Sequence, residues 1–131
     1  MFYFDTNLVV LTGNLGNNPN YALIAEKKDF ATFNLAVNKH WEENGEARSQ
    51  TDWFIVILNG HLARFAKDYL SKGNKVLIEG ELRMNRWLDE KGVAHISVQV
   101  LAHKLKSLDK ADLKENASNN AEFIPNNEVT Q

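Results

Sequence analysis

Three tryptophans in this chain stand close to cationic side chains. Trp41 follows Lys39, with Arg48 a short way on. Trp53 comes directly after the polar stretch Gln50-Thr51-Asp52. Trp87 follows Arg83 and Arg86, just before the charged run Asp89-Glu90-Lys91. Lys72 lies in a further polar stop, Lys72-Gly73-Asn74. An indole next to a cation can stack on any nucleobase while the cation meets a phosphate. Such stacking contributes about 1–3 kcal/mol per base and is indifferent to sequence. Trp53 and Trp87 also suit the rim of a core, because a tryptophan is large and rarely buried completely. Spacing alone leaves both readings open.

Other chemistry finds no footing. His40, His61, His95 and His103 show no metal-ligand spacing, and no carboxylate pair stands out. Phosphate-loop signatures are missing. Gly13-Asn14-Leu15-Gly16 lacks the third glycine of a dinucleotide fingerprint and reads as a turn. No enzyme activity, metal or cofactor is expected. The absence of cysteine removes disulfides and thiolate metal sites and fits a reducing compartment. No apolar run approaches a membrane span, and Met1–Asp5 lacks the basic start of a signal peptide. A cytoplasmic protein without membrane contact is expected. The net charge of −2 divides unevenly: residues 1–108 sum to +1 and residues 109–131 to −3. Any basic groove must therefore be local.

The stretch Thr51–Trp87 organises the elements that hold these residues. It opens with the apolar run Trp53–Leu58, closed by Asn59-Gly60. Leu62, Phe65, Ala66, Tyr69 and Leu70 then recur at helical spacing and form one apolar stripe. Lys72-Gly73-Asn74 stops the helix, and Val76–Trp87 reads as a long strand that Gly80 lets bend. Upstream, Asn7–Leu15 is rich in strand formers, Tyr21–Ala25 reads as a short strand, and Phe30–Asn38 alternates with Phe33, Leu35 and Val37 on one side. Polar Glu42–Gln50 is expected to be an exposed loop. Asp89–Gly92 reads as a hairpin turn before a strand from Ala94 to about Leu105. Five main strands with a helix between the third and fourth predict an all-β OB-fold, a small Greek-key barrel, over residues 1–108. Residues 109–131, acidic and Asn-rich, are expected to be a flexible tail.

Asn7–Gly16 with Pro19 resembles the opening of the bacterial single-stranded DNA-binding protein family. So does Thr51-Asp52-Trp53 leading to Gly60, then Leu62-Ala63, Tyr69-Leu70, Lys72-Gly73, Val76, Ile78-Glu79-Gly80, Leu82-Arg83 and Trp87. The resemblance runs from residue 7 to about residue 105. It implies an OB-fold, assembled as a homotetramer, that binds and protects single-stranded DNA during replication, recombination or repair. It places the stacking tryptophans at Trp41, Trp53 and Trp87 and the basic strand at Arg83 and Arg86. Lys39, Arg48 and Lys72 flank them as the expected backbone contacts. The chain departs from the family pattern in three places. Asn59 stands where a stacking phenylalanine is usual; Leu8, Ile55, His61 and Asn85 occupy frequently basic positions; and an acidic tip ending in Pro-Phe, which recruits replication and repair proteins, is not seen in Glu122–Gln131. The alternative is an OB-fold primosome or assembly factor that acts mainly through protein contacts. For self-association, the run Trp53–Leu58 suggests one face inside the barrel and the other, through Phe54, against a second subunit.

Overall fold

A computed structural model describes residues 4–24 and 28–109 of the chain. Its elements are β1 (Val9–Leu15), β2 (Asn20–Ile24), β3 (Lys28–Glu43), β4 (Glu46–Asn59), α1 (His61–Tyr69), β5 (Lys75–Leu88) and β6 (Ala94–Ser107). The strands form one sheet in the order β1-β5-β6-β4-β3-β2, and a further pairing of β1 with β3 closes a five-stranded barrel with β2 outside the ring. All pairings are antiparallel except β4 with β6, which run parallel through Ile55↔Gln99, Val56↔Val100 and Ile57↔Leu101. This is the expected OB-fold, with the helix between the third and fourth strands of the ring.

Alternation explains the core. Ala31, Phe33 and Leu35 of β3, Val56 and Leu58 of β4, Val76 and Ile78 of β5, and Val100 and Ala102 of β6 all point into the barrel and are buried. The helix stripe adds Ala63 and Ala66, and Leu70 just after the helix closes the same end. At Gly80 the pairing of β5 with β6 shifts register, and a Cβ there would fall 2.0 Å from the Leu101 carbonyl oxygen. Only glycine lets the strands pass so closely, which is why the long strand bends there. Asp29 is a buried charge under the helix. Its carboxylate accepts from the Tyr21 hydroxyl and pairs with the Arg64 guanidinium, so β2, β3 and α1 meet at one polar knot. That hydrogen bond, ahead of burial, raises the Tyr21 pKa.

Two sequence expectations change. Glu42–Gln50 is not a loop: β3 and β4 stay paired from Phe30↔Asn59 out to Glu43↔Glu46, and only Asn44-Gly45 turns. Both turn residues have positive φ, 54° and 79°, the backbone a two-residue hairpin requires and Asn-Gly supplies. Phe54, expected to reach a second subunit, faces inward with Val56 and Leu58 and packs against the core. The outward side chains of that run are Trp53, Ile55 and Ile57. Of the expected tail, Asp109 accepts a 2.6 Å hydrogen bond from the Lys75 amide; residues 110–131 lie outside the described residues.

Candidate nucleic-acid interface

Beyond the barrel, β3–β4 and β5–β6 continue as two long hairpin arms. Pairing of β4 with β6 begins at Ile55↔Gln99, so the arms part just there. On that rung Ile55, Gln99 and Arg83 lie side by side across three strands, all on the outer face. Side chains two residues apart share a face. Trp53 therefore continues the outer face along one arm, and Asn85 and Trp87 continue it along the other. Trp53 and Trp87 are 60% and 45% exposed, far more than core tryptophans would be.

Trp53 is seated on Gly16. A Cβ at Gly16 would lie 2.4 Å from the indole Cζ3, so the ring rests on bare backbone. The loop beneath it is tied down on both sides. The Gly16 amide donates to the Asn34 carbonyl at 2.8 Å, and the Asn34 amide donates to Asn17 Oδ1 at 2.9 Å. Asn18 Oδ1 accepts from the Lys72 amide at 2.8 Å, which brings Lys72 beside the same loop. Trp53, Gly16 and Lys72 thus form one assembly.

Trp87 stacks on His95, its cross-strand partner, with ring centroids 5.2 Å apart and planes 19° from parallel. His95 Nε2 lies 2.8 Å from Asp89 Oδ2, and Asp89 Oδ1 accepts from the amides of Lys91 and Val93. The imidazole, followed by these amides, holds the Asp89 carboxyl below the usual carboxylate range. One face of the indole is covered by imidazole and the other remains available.

Trp41 stands apart. In the β3–β4 register it pairs with Arg48 and shares its side of the ribbon with Lys39, opposite the side that carries Trp53. Lys39 Nζ lies 5.8 Å from the Trp41 ring centroid. Arg48 is within 3.6 Å of Glu43 and 3.4 Å of Glu46, so its charge is shared with two carboxylates. Arg86 faces away from Arg83 and Trp87, towards Met84, with a 3.8 Å contact to its sulfur. Of the eight residues singled out by sequence, Trp53, Lys72, Arg83 and Trp87 thus border the outer face; Lys39, Trp41 and Arg48 form a second group on one arm, and Arg86 lies on the back of the other.

Sequence reasoning missed Gly16, the Asn17–Asn18 clamp and His95. Counting back across the Asp89–Gly92 turn would have placed His95 opposite Trp87. Nothing local announces the contact between Gly16 and Trp53. Among the described residues no group of three or more His, Cys, Asp or Glu side chains could hold a metal ion, and no helix is long and apolar enough to cross a membrane.

The barrel's outer face thus presents exposed indoles and a guanidinium on one open surface. The chain belongs to the single-strand binding protein family, whose profile matches residues 6–108. Its structure is similar to that of Plasmodium falciparum SSB in complex with ssDNA, at TM-score 0.75 and 25% identity, over 83% of this chain and 100% of that one. A small single-stranded DNA-binding protein from Streptomyces coelicolor shares the fold at TM-score 0.67 and 23% identity, over 79% of this chain and 95% of that one.

Proposed function

We propose that this protein binds single-stranded DNA without sequence preference and shields it during replication, recombination or repair. Family membership carries the single-strand binding, and the joined outer face of Trp53, Arg83 and Trp87 supports our reading of where the strand lies. Bases would stack on the two indoles while Arg83 and Lys72 meet phosphates; Trp41, with Lys39 and Arg48, would engage strand passing over the other side of the β3–β4 arm. Exposed Leu8 and Ile55, with His61 and Asn85, add no fixed cation. Stacking would therefore supply much of the affinity, and the salt dependence should be shallow, since each phosphate contact adds about −0.7 to the slope on single strands. Titration with oligothymidine should quench the intrinsic fluorescence strongly, and a duplex of equal length far less. Wild-type affinity in both Trp53→Ala and Trp87→Ala would defeat the assignment.

Self-association belongs to the same reading. β1 pairs with β5 from Val9 to Asn14 but with β3 only at Asn14 and Leu15. The other edge of Val9–Thr12 has no strand partner among the described residues, and Leu8 and Val10 stand exposed beside it. The back of the β5–β6 arm exposes Leu82, Met84, Ile96 and Val98. These surfaces favour a homo-oligomer, a tetramer in our reading, that lets one strand visit several short tracks. They are also what an assembly factor acting through protein contacts would show. Sedimentation at micromolar concentration decides: a multiple of the chain mass supports self-association, and a monomer contradicts it.

A further inference from the structure

The outer face holds a cleft that includes Arg83 but is walled by Phe30, which the sequence reading did not single out. It lies where the foot of the β5–β6 arm meets the outer faces of β3 and β4. Phe30, Ile57, Asn59, Arg83, Asn85 and Gln99 line it together with Leu101 and Met84, around about 230 Å³. Phe30 and Asn59 are direct cross-strand partners, and Arg83 pairs with Gln99 on the far side. The volume is below the ~300–1,000 Å³ typical of drug-sized ligands, so it suits a single flat ring rather than a whole metabolite.

The lining has a consistent chemistry. Phe30 and Ile57 supply an apolar wall on the outside of the barrel, where no core requires them. Asp29 and Ala31, on either side of Phe30, are the residues turned inward and buried. Asn59, Asn85 and Gln99 carry amides, which both donate and accept and so suit the mixed edge of a nucleobase. Arg83 adds a guanidinium at the mouth, fitted to a phosphate or to stacking on an aromatic ring. The cleft shares the outer face of Trp53 and Trp87, so a strand following those indoles passes it.

We propose that this cleft is a subsite for one nucleobase of the bound strand, with Phe30 as its stacking platform. The inference rests on the single-strand binding reading and adds a contact to it. The side chain comes from β3 and the phosphate contact from β5, so the subsite joins the two halves of the sheet across β4 and β6.

Phe30→Leu keeps an apolar side chain but removes the aromatic face. With oligothymidine it should weaken binding about five- to tenfold, the low end of one lost base stack. Phe30→Tyr should restore most of it. On a strand of equal length carrying abasic sites, wild type and Phe30→Leu should bind alike, because the missing partner is then a base; a general packing defect would weaken both strands equally. Thermal midpoints of all variants verify the fold. Wild-type affinity in Phe30→Leu, an equal loss on the abasic strand, or no rescue by tyrosine would each overturn the subsite. Failure of the wild-type protein to bind any single strand would instead overturn the parent reading.

Discussion

The closed barrel and the two hairpin arms are built from the same strands, yet they obey different rules. Within the barrel each strand has a dry side and a wet side, and alternation assigns most residues. Past Val37↔Asp52 on one ribbon and Arg83↔Gln99 on the other, both sides of each ribbon meet solvent. Apolar and aromatic residues persist there, among them Trp41, Trp87, Met84, Ile96 and Val98, although no core among the described residues covers them. Monomeric surfaces rarely gather such residues without a partner to meet them. Barrel residues answer to packing; in the reading proposed above, arm residues answer to what docks on them.

Substitutions should separate the two regions cleanly. The largest effect belongs to the barrel. Phe33 is 1% exposed, and Phe33→Ala should cost about 3–5 kcal/mol of stability through lost burial and a residual cavity. Its thermal midpoint should drop well below wild type, while the folded fraction, measured in the cold, still binds single strands. Loss of binding before loss of fold would erase the distinction between the regions.

Gly16→Ala tests the border between them. The added methyl must displace the Trp53 ring, which is free to swing outward. Affinity for oligothymidine should fall about two- to threefold, a fraction of one base stack, with the thermal midpoint nearly unchanged. Trp53 emission should also shift as the ring leaves its seat. A large drop in midpoint with intact binding would make Gly16 a barrel residue.

The smallest effect is expected at the tip of the β5–β6 arm. Because the folded-state pKa of Asp89 is depressed, its contribution is present above the ordinary carboxylate pKa of about 3.9 and is lost as pH falls through the lower folded value. Trp87 emission in the free protein should therefore show a step below about pH 4 as the Asp89–His95 contact opens. Asp89→Asn should remove that step and leave the global midpoint at neutral pH almost unmoved. Persistence of the step in the variant would assign it to another group.

The same division explains what could be read from the chain. Phe33-Asn34-Leu35-Ala36-Val37 announced a barrel strand because one side is buried, and the helix stripe from Leu62 to Leu70 did so for the same reason. Glu42–Gln50 misled because an arm with two wet faces has no period to detect; only Asn44-Gly45 carried a signal, and it marks the turn rather than the strands. The tryptophans and Arg83 could be picked out by residue type. Their grouping could not, because Trp41 and Trp53 part company through cross-strand register. Phe30 stayed hidden for the opposite reason: its alternation placed it away from the core, where a lone apolar residue is unremarked until a neighbouring strand builds a wall beside it.

The way the ring closes bears on how the chain reaches this state. The two arms join neighbours in sequence, through Asn44-Gly45 and through Asp89–Gly92, so they can zip early and independently. The ring itself needs β1 to find β5, β4 to find β6 in parallel, and β1 to touch β3 at only two rungs. Those contacts join distant parts of the chain, and their loop entropy is incurred before any reward. Folding should be limited by ring closure, on the ~millisecond-to-second scale of barrels rich in distant contacts. Until closure, half-formed copies would display loose strand edges and the apolar back of an arm at once, so the chain is most prone to stick to itself before it has finished folding.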